Sequence, residues 1–235
     1  MNARSLARFV CAAIVVAAIP LSLPVQSATA APCPDIEVVF ARGTAEAPGL
    51  GITGTSFVEA MRLQAAGRSV GSYAVNYPAS SDFGDSLPFA RTVVNGISDT
   101  QAHVESMVAN CSNTRIVLGG YSQGAVVSGF STMAGTPVGV PPAYASALPI
   151  PMRPEVSSHV AAVVLFGKPS DRFMRDVSAP PVVVGPLYVG KTVEYCVAGD
   201  NICDGAGVGQ PNALHVLYAV NGMTLAGAGF AMSRV

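Results

Sequence analysis

Charged side chains are scarce in this sequence, since Asp, Glu, Lys and Arg make up 11% of its 235 residues. No run of lysine or arginine occurs, and the formal net charge at pH 7 is −1. Proteins that bind nucleic acids cluster basic residues against the phosphates. The composition therefore excludes a nucleic-acid partner, and its apolar character is compatible with peripheral contact with lipid or polymer surfaces.

Metal-binding residue types are equally rare. The chain has three histidines and no Cys-x-x-Cys pair, whereas structural zinc sites are built from such pairs. We therefore expect no zinc site, no other metal and no cofactor.

The first thirty residues have the pattern of an export signal. Arg4 and Arg8 precede an apolar stretch at 9–25, and Ala28-Thr29-Ala30 supplies the small-x-small sequence that signal peptidase recognises. Pro20 and Pro24 interrupt the stretch, which disfavours a membrane-spanning helix. We predict a signal peptide at 1–30 and one mature domain at 31–235, long enough to bury a core.

Four cysteines remain after the signal, and an even number in an exported protein predicts two disulfides. Three pairings are conceivable. Cys196 and Cys203 are close enough in sequence to close a short loop, which leaves Cys33 for Cys111.

Apolar runs that alternate with helical patterns predict a three-layer α/β sandwich around a mostly parallel five-stranded sheet without a lid domain. The predicted strands are 36–42, 73–77, 115–119, 160–166 and 192–196. The predicted helices are 53–66, 86–109 with a break near Gly96, 122–133 and 216–232. A proline-rich linker at 135–154 is expected at the sheet end opposite the strand C-termini, away from any chemistry.

Residues 120–124 have the sequence Gly-Tyr-Ser-Gln-Gly, between a predicted strand and a predicted helix. This is the setting of the nucleophile elbow of serine hydrolases, where a strained turn exposes the serine hydroxyl. The motif predicts Ser122 as a nucleophile.

A serine nucleophile needs a base, and three histidines compete for that role. His103 falls in the middle of a predicted helix and is expected at the surface, and His159 precedes a strand at the opposite sheet end. His215 follows the last strand, so it is predicted to reach Ser122.

An acid must in turn orient the histidine. Asp200 lies just after the last strand, inside the loop that Cys196 and Cys203 would close. It gives the chain order Ser, Asp, His that is typical of this class of hydrolase. Asp171 and Asp176 follow another strand and are the alternatives, while Asp204 lies just outside the loop.

The oxyanion formed by serine attack needs two N–H donors. Gln123 follows the nucleophile and is predicted to supply one. Thr44 follows the first predicted strand and is predicted to supply the other, with Gly43 as its neighbour.

The chain resembles the cutinase family, and more closely its exported actinobacterial branch. The resemblance is carried by Phe-Ala-Arg-Gly-Thr at 40–44, Gly-Gly-Tyr-Ser-Gln-Gly at 119–124, the loop 196–203 and His215. It implies a lidless α/β hydrolase with the triad Ser122, Asp200 and His215. It also implies the disulfides Cys33–Cys111 and Cys196–Cys203.

We therefore expect a carboxylic-ester hydrolase that acts on short- to medium-chain lipid or polyester esters. It is expected to be a monomer that is secreted, either into the medium or to the cell wall. The alternatives are a phospholipase A or lipase, an acetylxylan esterase, a peptidase or thioesterase, and a surface-binding or antigenic protein with an inactive triad. The candidate lips of a shallow acyl cleft, each of which could equally belong to the core of its loop, are Phe83, Leu87, Pro88, Ile202, Val208 and Leu214.

Overall fold

Five parallel strands form the central sheet in the computed structural model, which describes residues 32–82, 86–140 and 142–235. The strand order is β2-β1-β3-β4-β5. The strands are β1 (Ile36–Ala41), β2 (Val70–Ala74), β3 (Arg115–Tyr121), β4 (Val160–Phe166) and β5 (Thr192–Tyr195). Parallel strands bring all their carboxyl ends to one edge, where loops can combine side chains from distant parts of the chain.

Helices cover both faces of this sheet. They are α1 (Gly51–Gln64), α2 (Ser86–Asn110), α3 (Gln123–Ser131), α4 (Pro142–Ala145), α5 (Asp171–Asp176) and α6 (Met223–Met232). Within the described ranges, 3₁₀ helices follow Arg153, Tyr188 and Asn212, at Pro154–Ser158, Val189–Lys191 and Ala213–Ala219. The predicted three-layer α/β sandwich is confirmed.

Alternate residues of β1 show how the two cores form. Val38 and Phe40 pack with Phe57 of α1 on one face of the sheet, whereas Val39 packs with Ile97 of α2 on the other. A strand points successive side chains to opposite faces. Because both faces are covered, every residue of β1 is buried.

Several predicted boundaries were wrong. The second strand begins at Val70 and ends at Ala74, three residues before the predicted 73–77, and α2 continues through Gly96 without a break. The predicted helix 216–232 is a 3₁₀ helix and α6, bent by 46° at Val220–Gly222. Gly222 has φ +87° there, a left-handed conformation that interrupts helical hydrogen bonding.

The linker predicted at 135–154 joins the end of α3 to the 3₁₀ helix before β4, and it contains α4. Its Met152 is buried and Leu148 packs against the core, while Ile150 is exposed. Among the described residues, no single helix is long and apolar enough to cross a membrane. The predicted signal at 1–30 lies outside the described residues.

Candidate active site

Ser122 occupies the sharp turn between β3 and α3. Its backbone has φ 53° and ψ −119°, which is a conformation that costs a residue with a side chain about 1–3 kcal/mol. Its N–H donates to the carbonyl of Phe166 at the end of β4 (2.9 Å). The turn thus fixes Ser122 at the carboxyl edge of the sheet, where the motif predicted it.

The glycines on either side permit this turn. A Cβ added to Gly120 would lie 2.1 Å from the carbonyl oxygen of Gly124, and one added to Gly124 would lie 1.9 Å from that of Ala41. No side chain fits at such distances, so the Gly-x-Ser-x-Gly spacing follows from the close approach of β1, β3 and α3.

His215 connects Ser122 to Asp200. Its Nε2 lies 2.8 Å from Oγ of Ser122, and its Nδ1 lies 2.8 Å from Oδ2 of Asp200. The histidine is buried in the 3₁₀ helix Ala213–Ala219, and the Asn212 side chain caps this helix by accepting from the N–H of Leu214 (3.1 Å). The Asn212 amide also donates to the carbonyl of Gly199 (2.8 Å), which joins the histidine helix to the Asp200 loop.

Asp200 is fully buried and has three hydrogen-bond donors. Besides His215, the hydroxyl of Tyr218 donates to Oδ2 (2.6 Å) and the N–H of Ile202 donates to Oδ1 (3.0 Å). Burial by itself raises the pKa of this carboxyl, but the hydrogen bonds from His215, Tyr218 and Ile202 outweigh it and hold the pKa below its usual value. The arrangement favours an ionised carboxylate.

Disulfides join Cys196 to Cys203 and Cys33 to Cys111. The first closes the loop that contains Asp200, and Sγ of Cys203 lies 3.2 Å from Oδ2 of the aspartate. The second joins the segment before β1 to the residue after α2.

The two predicted oxyanion donors come from distant parts of the chain. Gln123 is the first residue of α3, where backbone N–H groups have no partner within the helix. Its buried side chain donates to the carbonyl of Ser80 (3.2 Å), and its Oε1 has no partner among the described residues. Thr44 follows β1, and its neighbour Gly43 donates its N–H to Glu46 (2.6 Å).

Two polar networks around this site were missed by the sequence reasoning. In one, the buried Arg42 donates to the carbonyls of Glu46 (2.8 Å) and Tyr77 (2.6 Å), and the Tyr77 hydroxyl donates back to the carbonyl of Arg42. The Glu46 carboxylate accepts from Gly43 and from Ile52 (2.8 Å) at the start of α1. Only the unusual burial of an arginine distinguishes this network, and burial is not visible in sequence.

The other missed network consists of two buried tyrosines. Tyr121 donates to the carbonyl of His215 (2.7 Å), and Tyr218 donates to Asp200. Burial raises the pKa of both phenols, so both remain protonated donors. In the sequence they resemble ordinary core aromatics, although Tyr121 lies inside the Gly-x-Ser-x-Gly motif.

The other two histidines do not reach the site. His103 lies in α2 and is half-buried rather than fully exposed, because its ring stacks on Tyr73 (centroids 3.6 Å apart) and Nε2 lies 3.3 Å from Glu37. His159 immediately precedes β4 and accepts from the N–H of Ile116 (2.9 Å). It therefore lies at the opposite sheet edge, as predicted.

Two of the three alternative acids accept hydrogen bonds elsewhere among the described residues. Asp176 accepts from the N–H of Val208 (3.0 Å), and Asp204 accepts from that of Ala206 (2.9 Å). Asp171 lies in the first turn of α5. Of the four aspartates considered, only Asp200 hydrogen-bonds to His215 within the described chain.

The structure describes three of the six side chains that were expected to form the lips of the acyl cleft. Val208 is exposed and Leu214 is half-buried, but Ile202 is buried and belongs to the loop core rather than to a lip. The side chains of Phe83, Leu87 and Pro88 lie outside the described part of the molecule. Val216, next to His215, is exposed and was not predicted.

An open depression of about 1120 Å³ lies beside the Thr44 loop. The exposed residues Asn76, Asn95 and Ser98 line it, together with Arg42, Glu46 and Asp99. No group of three or more His, Cys, Asp or Glu side chains suited to a metal occurs in the described ranges.

Several mycobacterial proteins are similar to this chain over most of its length. A probable carboxylesterase, Culp7 of Mycobacterium tuberculosis, is 52% identical over 73% of this chain and 88% of its own. Carboxylesterase Culp1 of Mycobacterium bovis is 45% identical over 100% of this chain and 98% of its own. Phospholipase Culp4 of M. tuberculosis is 40% identical over 99% and 93%.

Solved structures of a cutinase and of an acetyl xylan esterase are also similar to this chain. Trichoderma reesei cutinase, in complex with a phosphonate inhibitor, is 30% identical with a TM-score of 0.62 over 86% of this chain and 77% of its own. The catalytic core of T. reesei acetyl xylan esterase is 25% identical with a TM-score of 0.67 over 87% and 100%. The family profile described as Cutinase matches residues 32–235. The chain therefore belongs to the cutinase family, and it is a carboxylesterase of the serine-hydrolase type.

Proposed function

We propose that Ser122, His215 and Asp200 form a catalytic triad that hydrolyses carboxylic esters through an acyl-enzyme. The two 2.8 Å contacts of the His215 ring, to Ser122 and to Asp200, carry this proposal. Nε2 of His215 takes the hydroxyl proton as Oγ bonds to the ester carbon, and it then gives that proton to the departing alcohol. Water repeats the sequence on the acyl-enzyme, which releases the acid and restores Ser122.

The oxyanion of each tetrahedral intermediate is proposed to accept from the backbone N–H groups of Thr44 and Gln123. The choice of Thr44 over Gly43 is supported by the bond from Gly43 to Glu46, which already occupies that N–H. Neither proposed donor has another acceptor among the described residues. Removing one oxyanion donor from a serine hydrolase typically lowers kcat by about 10²–10³.

Replacing Ser122 with alanine tests the triad. We expect S122A to lose ester hydrolysis by about 10³-fold or more and to lose labelling by an organophosphonate, while its melting temperature stays close to that of the wild type. Ser157→Ala is a matched control, because Ser157 is an accessible serine in the 3₁₀ helix before β4. Labelling of S122A, or absence of labelling in the wild type, would contradict the triad; the latter would favour a surface-binding protein with an inactive site.

The substrates are proposed to be esters of short- to medium-chain acids. Exposed Val216, next to His215 in sequence, and exposed Val208, in the loop between Asp200 and His215, offer apolar contact for a limited acyl chain, and each buried methylene contributes about 0.8 kcal/mol. Specific activity against p-nitrophenyl esters from acetate to palmitate should therefore rise over a few carbons and then level off or fall. A preference for palmitate, with a jump in rate when the substrate forms an interface, would contradict this proposal.

The polar depression beside the Thr44 loop favours a second candidate, which is deacetylation of a polysaccharide. The side chains of Asn76, Asn95 and Ser98 can hydrogen-bond to the hydroxyl groups of a sugar. Acetate release from acetylated xylan, compared with hydrolysis of a phospholipid, separates these alternatives. Asn95→Ala should lower the first activity without changing turnover of p-nitrophenyl acetate.

We also propose that the enzyme is exported as a monomer, with the signal at 1–30 removed and residues 31–235 as the mature domain. The two disulfides support an oxidising compartment. Amino-terminal sequencing of protein from the culture medium should begin at Ala31. Light scattering should give the mass of a single chain.

A further inference from the structure

Tyr218 has no exposed surface, and its hydroxyl group lies within the proposed active site. The hydroxyl oxygen is 2.6 Å from Oδ2 of Asp200, 3.2 Å from the N–H of Val197 and 3.3 Å from Sγ of Cys203. A disulfide sulfur carries no proton, and the N–H of Val197 donates to the phenol oxygen. The phenol proton is therefore directed at Asp200.

The local helix type places this donor beside His215. His215 and Tyr218 are three residues apart in the 3₁₀ helix Ala213–Ala219. Residues at this spacing eclipse each other in a 3₁₀ helix, which has three residues per turn. Both side chains consequently reach the same oxygen, Oδ2 of Asp200, from the same side.

We infer that Tyr218 is a positioning residue of the proposed triad, which holds the Asp200 carboxylate ionised and fixes Oδ2 opposite Nδ1 of His215. This inference rests on the proposed function. The other groups that face the carboxylate are the N–H of Ile202 and the Cys196–Cys203 disulfide. Tyr121 also interacts electrostatically with Asp200, and its hydroxyl donates to the carbonyl of His215. Tyr218 is thus the one other side chain that donates to Asp200 in the described structure.

Loss of the Tyr218 hydroxyl should change the pH dependence of catalysis in a direction that can be measured. A carboxylate that loses one donor is more basic, so it binds the protonated imidazole more strongly. The general base is then protonated at a higher pH, and less of it is active on the acid side of the optimum. A purely structural tyrosine would change stability or the amount of active protein but would leave the pH profile in place.

Tyr218→Phe keeps the ring and removes the hydroxyl. We expect kcat for p-nitrophenyl butyrate to fall about tenfold with little change in KM, and the acid limb of the kcat/KM profile to move up by about one pH unit. Tyr195→Phe is the matched control, because Tyr195 also packs against Phe166 but lies on β5 with no hydrogen bond to Asp200. It should leave both quantities unchanged.

The same substitution in an Asp200→Asn background makes the test independent of folding losses. If Tyr218 acts through the carboxylate, Y218F should lower kcat in D200N by less than twofold; equal losses in both backgrounds would overturn the inference. Should Y218F not fold, 3-fluorotyrosine at position 218, a stronger donor, should move the acid limb down. An unchanged limb would again overturn it. Failure of the triad itself is distinguishable, because the wild type would then lack phosphonate labelling at Ser122.

Discussion

Two loops flank Ser122, and they are held in place by different kinds of bond. The acid–base segment, residues 196–218, contains Asp200 and His215, and the Cys196–Cys203 disulfide closes the part of it that contains Asp200. The oxyanion loop, residues 43–50, has no cysteine and is held by hydrogen bonds from Arg42 and to Glu46. Hydrogen bonds such as that from Asn212 to Gly199 also hold the acid–base segment, so the covalent bridge is what the oxyanion loop lacks.

The two segments also differ in the chemical groups that they must position. The acid–base segment must keep a buried carboxylate in line with an imidazole, and a short covalent loop restricts that geometry in one step. The oxyanion loop is proposed to keep backbone N–H groups aimed at a charge that appears only during the reaction, and the hydrogen bonds that Gly43 and Ile52 donate to Glu46 fix the backbone itself. We therefore expect the two loops to fail under different perturbations.

The largest expected effect follows removal of the short disulfide. C196S/C203S should lower kcat about 100-fold with a small change in KM, since the loop that contains Asp200 loses its closure. In the chain-entropy model the short bridge contributes about 2.5 kcal/mol to the free energy of unfolding. Thermal unfolding and steady-state kinetics on the purified variant measure both quantities.

The long disulfide supplies the matched control. C33S/C111S opens a loop of 78 residues, worth about 4.5 kcal/mol in the same model, and it lies away from the Asp200 loop. This variant should lose more stability than C196S/C203S and retain most of its kcat below its melting temperature. The reverse ranking of kcat would show that the short bridge does not position Asp200.

A smaller effect is expected from the oxyanion loop. Glu46→Gln leaves one amide oxygen for two N–H donors, Gly43 and Ile52, and removes the negative charge at the start of α1. We expect kcat to fall about tenfold with KM nearly unchanged, because a misplaced N–H of Thr44 would weaken an interaction made only in the transition state.

Glu59→Gln is the comparison for this variant. Glu59 is an exposed residue of α1 that pairs with Arg62, and such surface pairs contribute at most about 1 kcal/mol. Its kcat should equal that of the wild type. If E46Q behaved in the same way, Arg42 and Tyr77 alone would hold the oxyanion loop.

Sequence patterns were sufficient for the fold class and for the three side chains that meet at Ser122. Ser122 is marked by glycines that no other residue could replace, Asp200 by its flanking cysteines, and His215 by its place after the last strand. These features are local in sequence. The strand β2 was misplaced because it is half-buried and because Tyr73 and Tyr77 give the following residues a stronger strand pattern.

Other parts of the molecule depend on contacts between distant residues. Arg42 and Tyr77 are 35 positions apart, and no periodicity indicates that a guanidinium will be buried against a carbonyl. Tyr218 resembles a core aromatic because its ring is one, and only its hydroxyl distinguishes its role. The bend before α6 was hidden because the residues on both sides are apolar, so a broken helix and a continuous one have the same pattern.

The smallest effect concerns the electrostatic component of the acid–base segment. The donors around Asp200 hold its pKa below the usual value of 3.8. Its contribution to stability is therefore complete above the pKa of the unfolded carboxyl, about 3.9, and is lost as the pH falls through the lower folded pKa.

The difference in melting temperature between wild type and D200N should be constant from pH 7 to 5 and narrow by a few degrees towards pH 2.5. Asp35→Asn, which removes an exposed carboxylate bonded to Ser69, should show a weaker trend of the same sign. A gap between wild type and D200N that stays constant down to pH 2.5 would mean that the pKa of Asp200 is the same in the folded and the unfolded chain, and the disulfide would then be the main constraint on the segment.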